Sequence, residues 1–125
     1  MSFYKSLIKS AIPLHSRQVA RGMYQRWLYK GDTVLCSCCG GTFRTFLPAG
    51  GLQQRQNARC PGCGSLERHR LLWLYLQQKT NLFSDSLRML HVAPEYMMQK
   101  KLLSFPNITY MSVDLDSPLA MERMD

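Results

Sequence analysis

Cys36-Ser37-Cys38-Cys39-Gly40-Gly41 is followed, with twenty residues between Cys39 and Cys60, by Cys60-Pro61-Gly62-Cys63-Gly64. Each half is a C-x-x-C pair closed by glycine. A two-residue gap lets both thiolates of a pair point to one side of a tight turn, and glycine permits the backbone twist behind the second sulfur. Two such knuckles complete a tetrahedral shell of four sulfurs, Cys36, Cys39, Cys60 and Cys63, with no open position, which is the pattern of structural rather than catalytic Zn²⁺. A redox C-x-x-C is the competing reading, but that chemistry uses one such motif opening a helix after a strand, not two matched knuckles. Cys38 is the fifth cysteine, either a bystander thiol or an alternative ligand to Cys36. A zinc ion also explains how about thirty residues with few large apolar side chains hold a fold.

Around the knuckles the sequence suggests short strands and turns. Gly40-Gly41 and Pro48-Ala49-Gly50-Gly51 punctuate the ribbon, and Thr42–Leu47 between them has strand character. Gly31-Asp32 marks a turn ahead of it. Residues 65–79 predict a helix, with Ser65 as its N-cap, Glu67 in its first turn, and Leu71, Leu72, Tyr75 and Leu76 as an apolar stripe flanked by Trp73 and Leu74. His69 reads as a helix-surface or interface residue.

Charge is unevenly placed. The chain of 125 residues carries a net +8. Residues 1–70 hold 11 Lys/Arg against Asp32 and Glu67, a net +9, whereas residues 71–125 come to −1. Such asymmetry suggests a polyanion partner, RNA among them. Residues 1–30 contain six bases and no acid; they read as two short amphipathic helices divided by Pro13. This arm is a packed helix with solvated bases, a nucleic-acid or membrane-surface contact, or a transit peptide. Arg44, Arg55, Arg59, Arg68 and Arg70 form either a basic face or an ordinary solvated surface. No stretch approaches a transmembrane helix, and no secretory signal is evident. Paired C-x-x-C motifs without a signal point to a reducing compartment, the cytoplasm.

Residues 87–125 change character. Leu87–Pro94 reads as a short buried strand, Glu95–Ser104 as a helix, and Ile108–Leu115 as a second strand. This order implies parallel strands joined by a crossover helix. A nucleotide-type ligand binds at the carboxyl ends of such strands, near a helix N-terminus. Asp114, at the end of the second strand, suits a ribose, because a carboxylate accepts two hydroxyl hydrogen bonds and the offset from the first turn is right. It reads otherwise as a plain strand-end acid.

The run from Cys36 through Cys60-Pro61-Gly62-Cys63-Gly64-Ser65-Leu66-Glu67-Arg68-His69-Arg70-Leu71-Leu72, then Leu90-His91-Val92-Ala93-Pro94-Glu95, then Tyr110-Met111-Ser112-Val113-Asp114-Leu115, resembles bacterial S-adenosylmethionine-dependent class I, "type 11", methyltransferases with an N-terminal zinc ribbon. The resemblance runs from about residue 34 onward. It implies that Leu90–Met97 stands at cofactor motif I, with His91, Ala93, Pro94 and Glu95 in place of an acid and a glycine-rich turn. It implies that Asp114 holds the cofactor ribose and that Asp125 stands near the adenine. Only two strands of the methyltransferase sheet are evident, so the sequence reads as a truncated frame, inactive alone and prone to associate through an open sheet edge. No catalytic residue and no methyl acceptor are indicated.

The expectation is therefore an α+β chain: a basic helical arm over residues 1–32, a zinc ribbon over 33–64, a linking helix over 65–85, and the first β-α-β of a Rossmann-like methyltransferase sheet over 86–125. The alternative from a different class is a non-enzymatic zinc-ribbon module that binds nucleic acid or protein through a basic face.

Overall fold

The computed structural model describes residues 13–124. The first expected N-terminal helix and Asp125 lie outside the described residues. The described chain mixes helix and strand, with three helices and seven short strands in three small sheets. It divides into two compact units between Gly64 and Ser65.

In the first unit, helix α1 (Leu14–Leu28) starts directly after Pro13, whose fixed φ suits the residue before a helix. Strand β1 (Lys30–Leu35) pairs antiparallel with β2 (Thr42–Phe43), and β3 (Leu47–Ala49) pairs antiparallel with β4 (Arg55–Arg59). Two expectations change here. Gly31-Asp32 is not a turn but the bulged part of β1, where Lys30 and Val34 both face Phe43. Thr42–Leu47 is not one strand, because its two ends pair with different partners on either side of Arg44, Thr45 and Phe46. The buried core holds Phe43, Phe46, Leu47, Ala58, Pro61 and three of the cysteines, Cys36, Cys38 and Cys60. Helix α1 lies against the second knuckle: a Cβ on Gly22 would stand 2.7 Å from the carbonyl oxygen of Gly62, so only glycine permits this approach.

In the second unit, helix α2 (Glu67–Lys79) precedes β5 (Leu87–Val92), α3 (Tyr96–Leu103), β6 (Ile108–Asp114) and the short β7 (Glu122–Arg123). Strands β5 and β6 run parallel in unbroken register, from Leu87 opposite Ile108 to Val92 opposite Val113. Strand β7 adds a third parallel strand beside β6, beyond the two expected. Strand β5 alternates between half-buried and exposed residues, so it is covered on one face and not buried on both. Gln99 of α3 donates to Ser112 Oγ at 3.2 Å and to the Leu119 carbonyl at 2.8 Å, which ties the helix to β6 and to the loop beyond it.

Helix α2 also departs from expectation. Its N-cap position is Leu66, and Ser65 does not cap it. Instead the His69 ring closes the first turn, Nδ1 accepting the Leu66 N–H at 3.1 Å. The buried face is His69 and Trp73, whereas Leu71, Leu72 and Tyr75 stand 69, 45 and 56% exposed. Trp73 sits in an aromatic cluster with Phe83 and Phe105, at centroid distances of 6.1 and 6.0 Å. Asn107 fastens the preceding turn by donating to the carbonyls of Leu82 and Asp85 at 2.7 and 2.8 Å.

Candidate metal centre

The two knuckles have the same local geometry. Gly40 N–H donates to the Cys36 carbonyl at 2.8 Å, and Gly64 N–H donates to the Cys60 carbonyl at 3.0 Å. Both glycines are left-handed, with φ of 70° and 76°. A Cβ on either would meet nothing within 4 Å. The demand for glycine is therefore conformational, and alanine at Gly40 is expected to cost about 1 kcal/mol. Metal competition titration of Gly40→Ala should read this as an affinity about fivefold weaker.

These turns bring Cys36, Cys39, Cys60 and Cys63 together, with the four sulfurs all within 4.8 Å of one another. Cys36 Sγ lies 3.7 Å from Cys63 Sγ, and Cys39 Sγ lies 3.8 Å from Cys60 Sγ. Sulfurs bound about 2.3 Å from a central zinc stand about 3.8 Å apart in a regular tetrahedron. The spacing is far too long for disulfides, and all five cysteines are free. The quartet is thus positioned to bind one metal ion, and its dimensions fit Zn²⁺.

The electrostatics of the quartet are consistent with such an ion. Hydrogen bonding from Cys38, then from the other three thiols of the quartet, holds the Cys36 thiol well below its ordinary range. Cys36 in turn pushes Cys39 up, but Cys60, Cys63 and the Gly41 N–H outweigh it and bring Cys39 down to about 6. The same contacts with Cys36, Cys39 and Cys63 drive Cys60 upward. Four sulfurs this close cannot all ionise unless a cation sits among them.

Spacing alone left the place of Cys38 open. It is buried, at 1% exposed, and lies outside the quartet, but its thiol supports the Cys36 sulfur.

The residues singled out in the β5–α3 segment gather differently. His91 ends the covered face of β5, and its Nδ1 lies 2.7 Å from the Tyr110 hydroxyl. Glu95 stands just before α3 and accepts from His69 Nε2 at 3.0 Å, while its second oxygen lies 3.4 Å from His91 Nε2. Because His69 Nδ1 accepts a backbone N–H, its Nε2 carries the proton toward Glu95. His69, 7% exposed, is therefore neither a surface residue nor a spare: it pins both the start of α2 and Glu95. Burial, offset in part by a Ser112 hydrogen bond, raises the Tyr110 phenol, with the Glu95 charge adding to the rise. Ala93 adopts a left-handed φ of 53°, the strained turn between strand and helix, and its N–H donates to the Val113 carbonyl at 2.9 Å. Pro94 is buried beside it.

Asp114 closes β6. Its Oδ1 accepts the N–H groups of Asp116 at 2.9 Å and Ser117 at 3.1 Å, and these bonds hold the carboxyl below its usual range. It lines an open cleft of about 180 Å³ with Leu115, Asp116, Ser117, Ala120, Glu122 and Arg123. That volume is below the roughly 300 Å³ at which small-molecule sites begin. Of the described residues singled out around the parallel strands, only Asp114 lines this cleft. No protein-family model, curated protein or solved structure gives a significant match to this chain. No helix of the described residues is long and apolar enough to cross a membrane.

Proposed function

We propose that the chain is a zinc-ribbon protein whose second unit carries the cofactor edge of a Rossmann-like S-adenosylmethionine-dependent methyltransferase. The observation that carries the cofactor reading is the register of β5 and β6. With Val92 opposite Val113, the strained Ala93 turn and the Asp114 carboxylate emerge side by side at the carboxyl ends of two parallel strands, where nucleotide-type ligands bind. The strand order β5-β6-β7 supports this, since three successive parallel neighbours form one half of a doubly wound sheet. Asp114 would hold the ribose hydroxyls, and the Ala93-Pro94-Glu95 turn would border the cofactor. Glu95 and His91 act on the cofactor site through geometry, since their side chains fix the turn. When bound, S-adenosylmethionine supplies an activated methyl group for a nucleophile of the acceptor. Strands β5 and β7 leave backbone groups open along the sheet edges, which supports self-association as a property of this unit.

The test is a titration of S-adenosylmethionine into the isotopically labelled protein, followed by amide NMR. Saturable shifts are expected at Ala93, Glu95 and Asp114, and Asp114→Ala should weaken binding at least tenfold. An unmoved spectrum at millimolar cofactor would sink the cofactor reading.

A second reading concerns the first unit and has its own observation. The Arg59 guanidinium is held below its ordinary range by partial burial and then by the charge of Arg21. Residues 13–64 carry seven Lys/Arg against the single acid Asp32, an excess that favours a polyanion. We therefore propose that the ribbon and α1 bind a polyanion, whether or not the second unit binds a cofactor.

A further inference from the structure

Helix α1 lies against the ribbon through Gly22, so its opposite side is free to be read as a surface. That side is unusual in composition. Trp27, Met23 and Tyr24 are 75, 67 and 61% exposed. At helical spacing Arg17, Arg21, Tyr24 and Leu28 form one stripe, and Ala20, Met23 and Trp27 form the stripe beside it. Arg17 therefore stands inside the exposed apolar side, between Tyr24 and Leu28, while Arg21 and Arg26 edge it. The positive charge continues onto the ribbon. The Arg44 guanidinium stacks 5.0 Å from the centre of the Tyr29 ring at the end of α1. From residue 21 to residue 29 is about 12 Å of helix. Residues 13–64 contain seven Lys/Arg and one acid, Asp32. A divalent ion with four thiolates takes two charges from that sum, so the unit keeps a net charge of about +4.

We infer that this face of α1, with Trp27 and Tyr24 as stacking platforms beside Arg17 and Arg21, binds single-stranded nucleic acid. The inference rests on the polyanion reading of the first unit and narrows it. Exposed aromatic rings alternating with cations on a rigid support match a strand whose bases are unpaired and whose backbone is charged. A duplex hides its bases and would use only the arginines. A membrane-surface helix needs an uninterrupted apolar face, and here Arg17 stands inside it, between Tyr24 and Leu28.

The test uses the whole protein with zinc bound. A fluorescent twelve-nucleotide single-stranded RNA of mixed sequence is titrated at low salt, beside the duplex of the same sequence, heparin, and vesicles containing phosphatidylserine. The single strand should bind at least tenfold tighter than the duplex, with affinity falling as salt rises. Trp27→Ala should weaken single-strand binding about tenfold or more, leave heparin binding unchanged, and be rescued by Trp27→Phe. Trp27 is largely exposed, so its removal leaves the core intact, and unchanged zinc content verifies this. Equal binding of single strand, duplex and heparin, indifferent to Trp27→Ala, would overturn the inference but leave the polyanion reading standing. Tighter partition onto vesicles than onto RNA would also overturn it. Binding to none of the four probes would overturn both.

Discussion

Stripping the metal with a chelator, or replacing Cys60 by serine, is expected to unfold the ribbon rather than loosen it. Without the cysteines, the buried apolar side chains among the described residues of this unit reduce to Phe43, Phe46, Leu47, Ala58 and Pro61. That set is too small to offset the entropy of ordering the two hairpins that carry the knuckles. Structural zinc contributes about 10–16 kcal/mol in comparable small folds, as much as the whole net stability of an ordinary domain. Cys60 is 1% exposed, so serine would leave a buried hydroxyl facing three thiolates. Circular dichroism should lose the strand signal on chelation and regain it on adding zinc, while Cys60→Ser should stay unfolded at equimolar zinc. The pH sense follows from proton competition. Metal binding depresses the thiol pKa values below their unfolded range near 8.5, so the stabilisation is present above that range and is lost as pH falls through the bound-state values. Zinc release should therefore rise steadily in acid and be absent above neutrality.

Trp73→Ala is expected to be the most damaging single change in the second unit. The indole is 2% exposed, stacks on Phe105 at 26° between planes, meets Phe83 edge-on, and carries the Lys101 ammonium 4.4 Å from its ring centre. Its removal opens a cavity that two neighbouring phenylalanines cannot fill, a loss of about 3–5 kcal/mol. The lost contact with Lys101 adds to it. The urea midpoint of the unit, followed by near-ultraviolet circular dichroism, should fall accordingly, whereas Trp27→Ala should leave it unchanged. Equal midpoints for Trp73→Ala and the parent protein would show that the aromatic cluster does not hold this unit.

What could be read from the residues depended on how local the information was. The metal quartet was legible because a C-x-x-C pair and its glycine set their own geometry within five residues. The strand–helix–strand order was legible because Leu87–Val92, Tyr96–Leu103 and Ile108–Asp114 each carry their own period and are bounded by turns. Facing was much less legible. The leucines of α2 gave a convincing stripe, yet Leu71 and Leu72 are exposed and the buried side is set by His69 and Trp73. Periodicity identifies a helix, but only the tertiary partners, Phe83, Phe105 and Glu95, decide which side is covered. The same limit hid the role of His69, whose two nitrogens serve Leu66 and a residue 26 positions away. Ser65 looked like a cap by residue type, but an imidazole three positions into the helix does the work. Cys38 was ambiguous because spacing shows which thiols can reach a metal and not which one donates to a ligand.

The central claim is that four sulfurs enclose one zinc ion. X-ray absorption at the zinc edge of the purified protein, with elemental analysis of the same sample, tests it directly. The account predicts one zinc per chain and a first shell of four sulfurs at about 2.3 Å. A metal-free protein that keeps its strand signal, or a first shell containing nitrogen or oxygen, would contradict it.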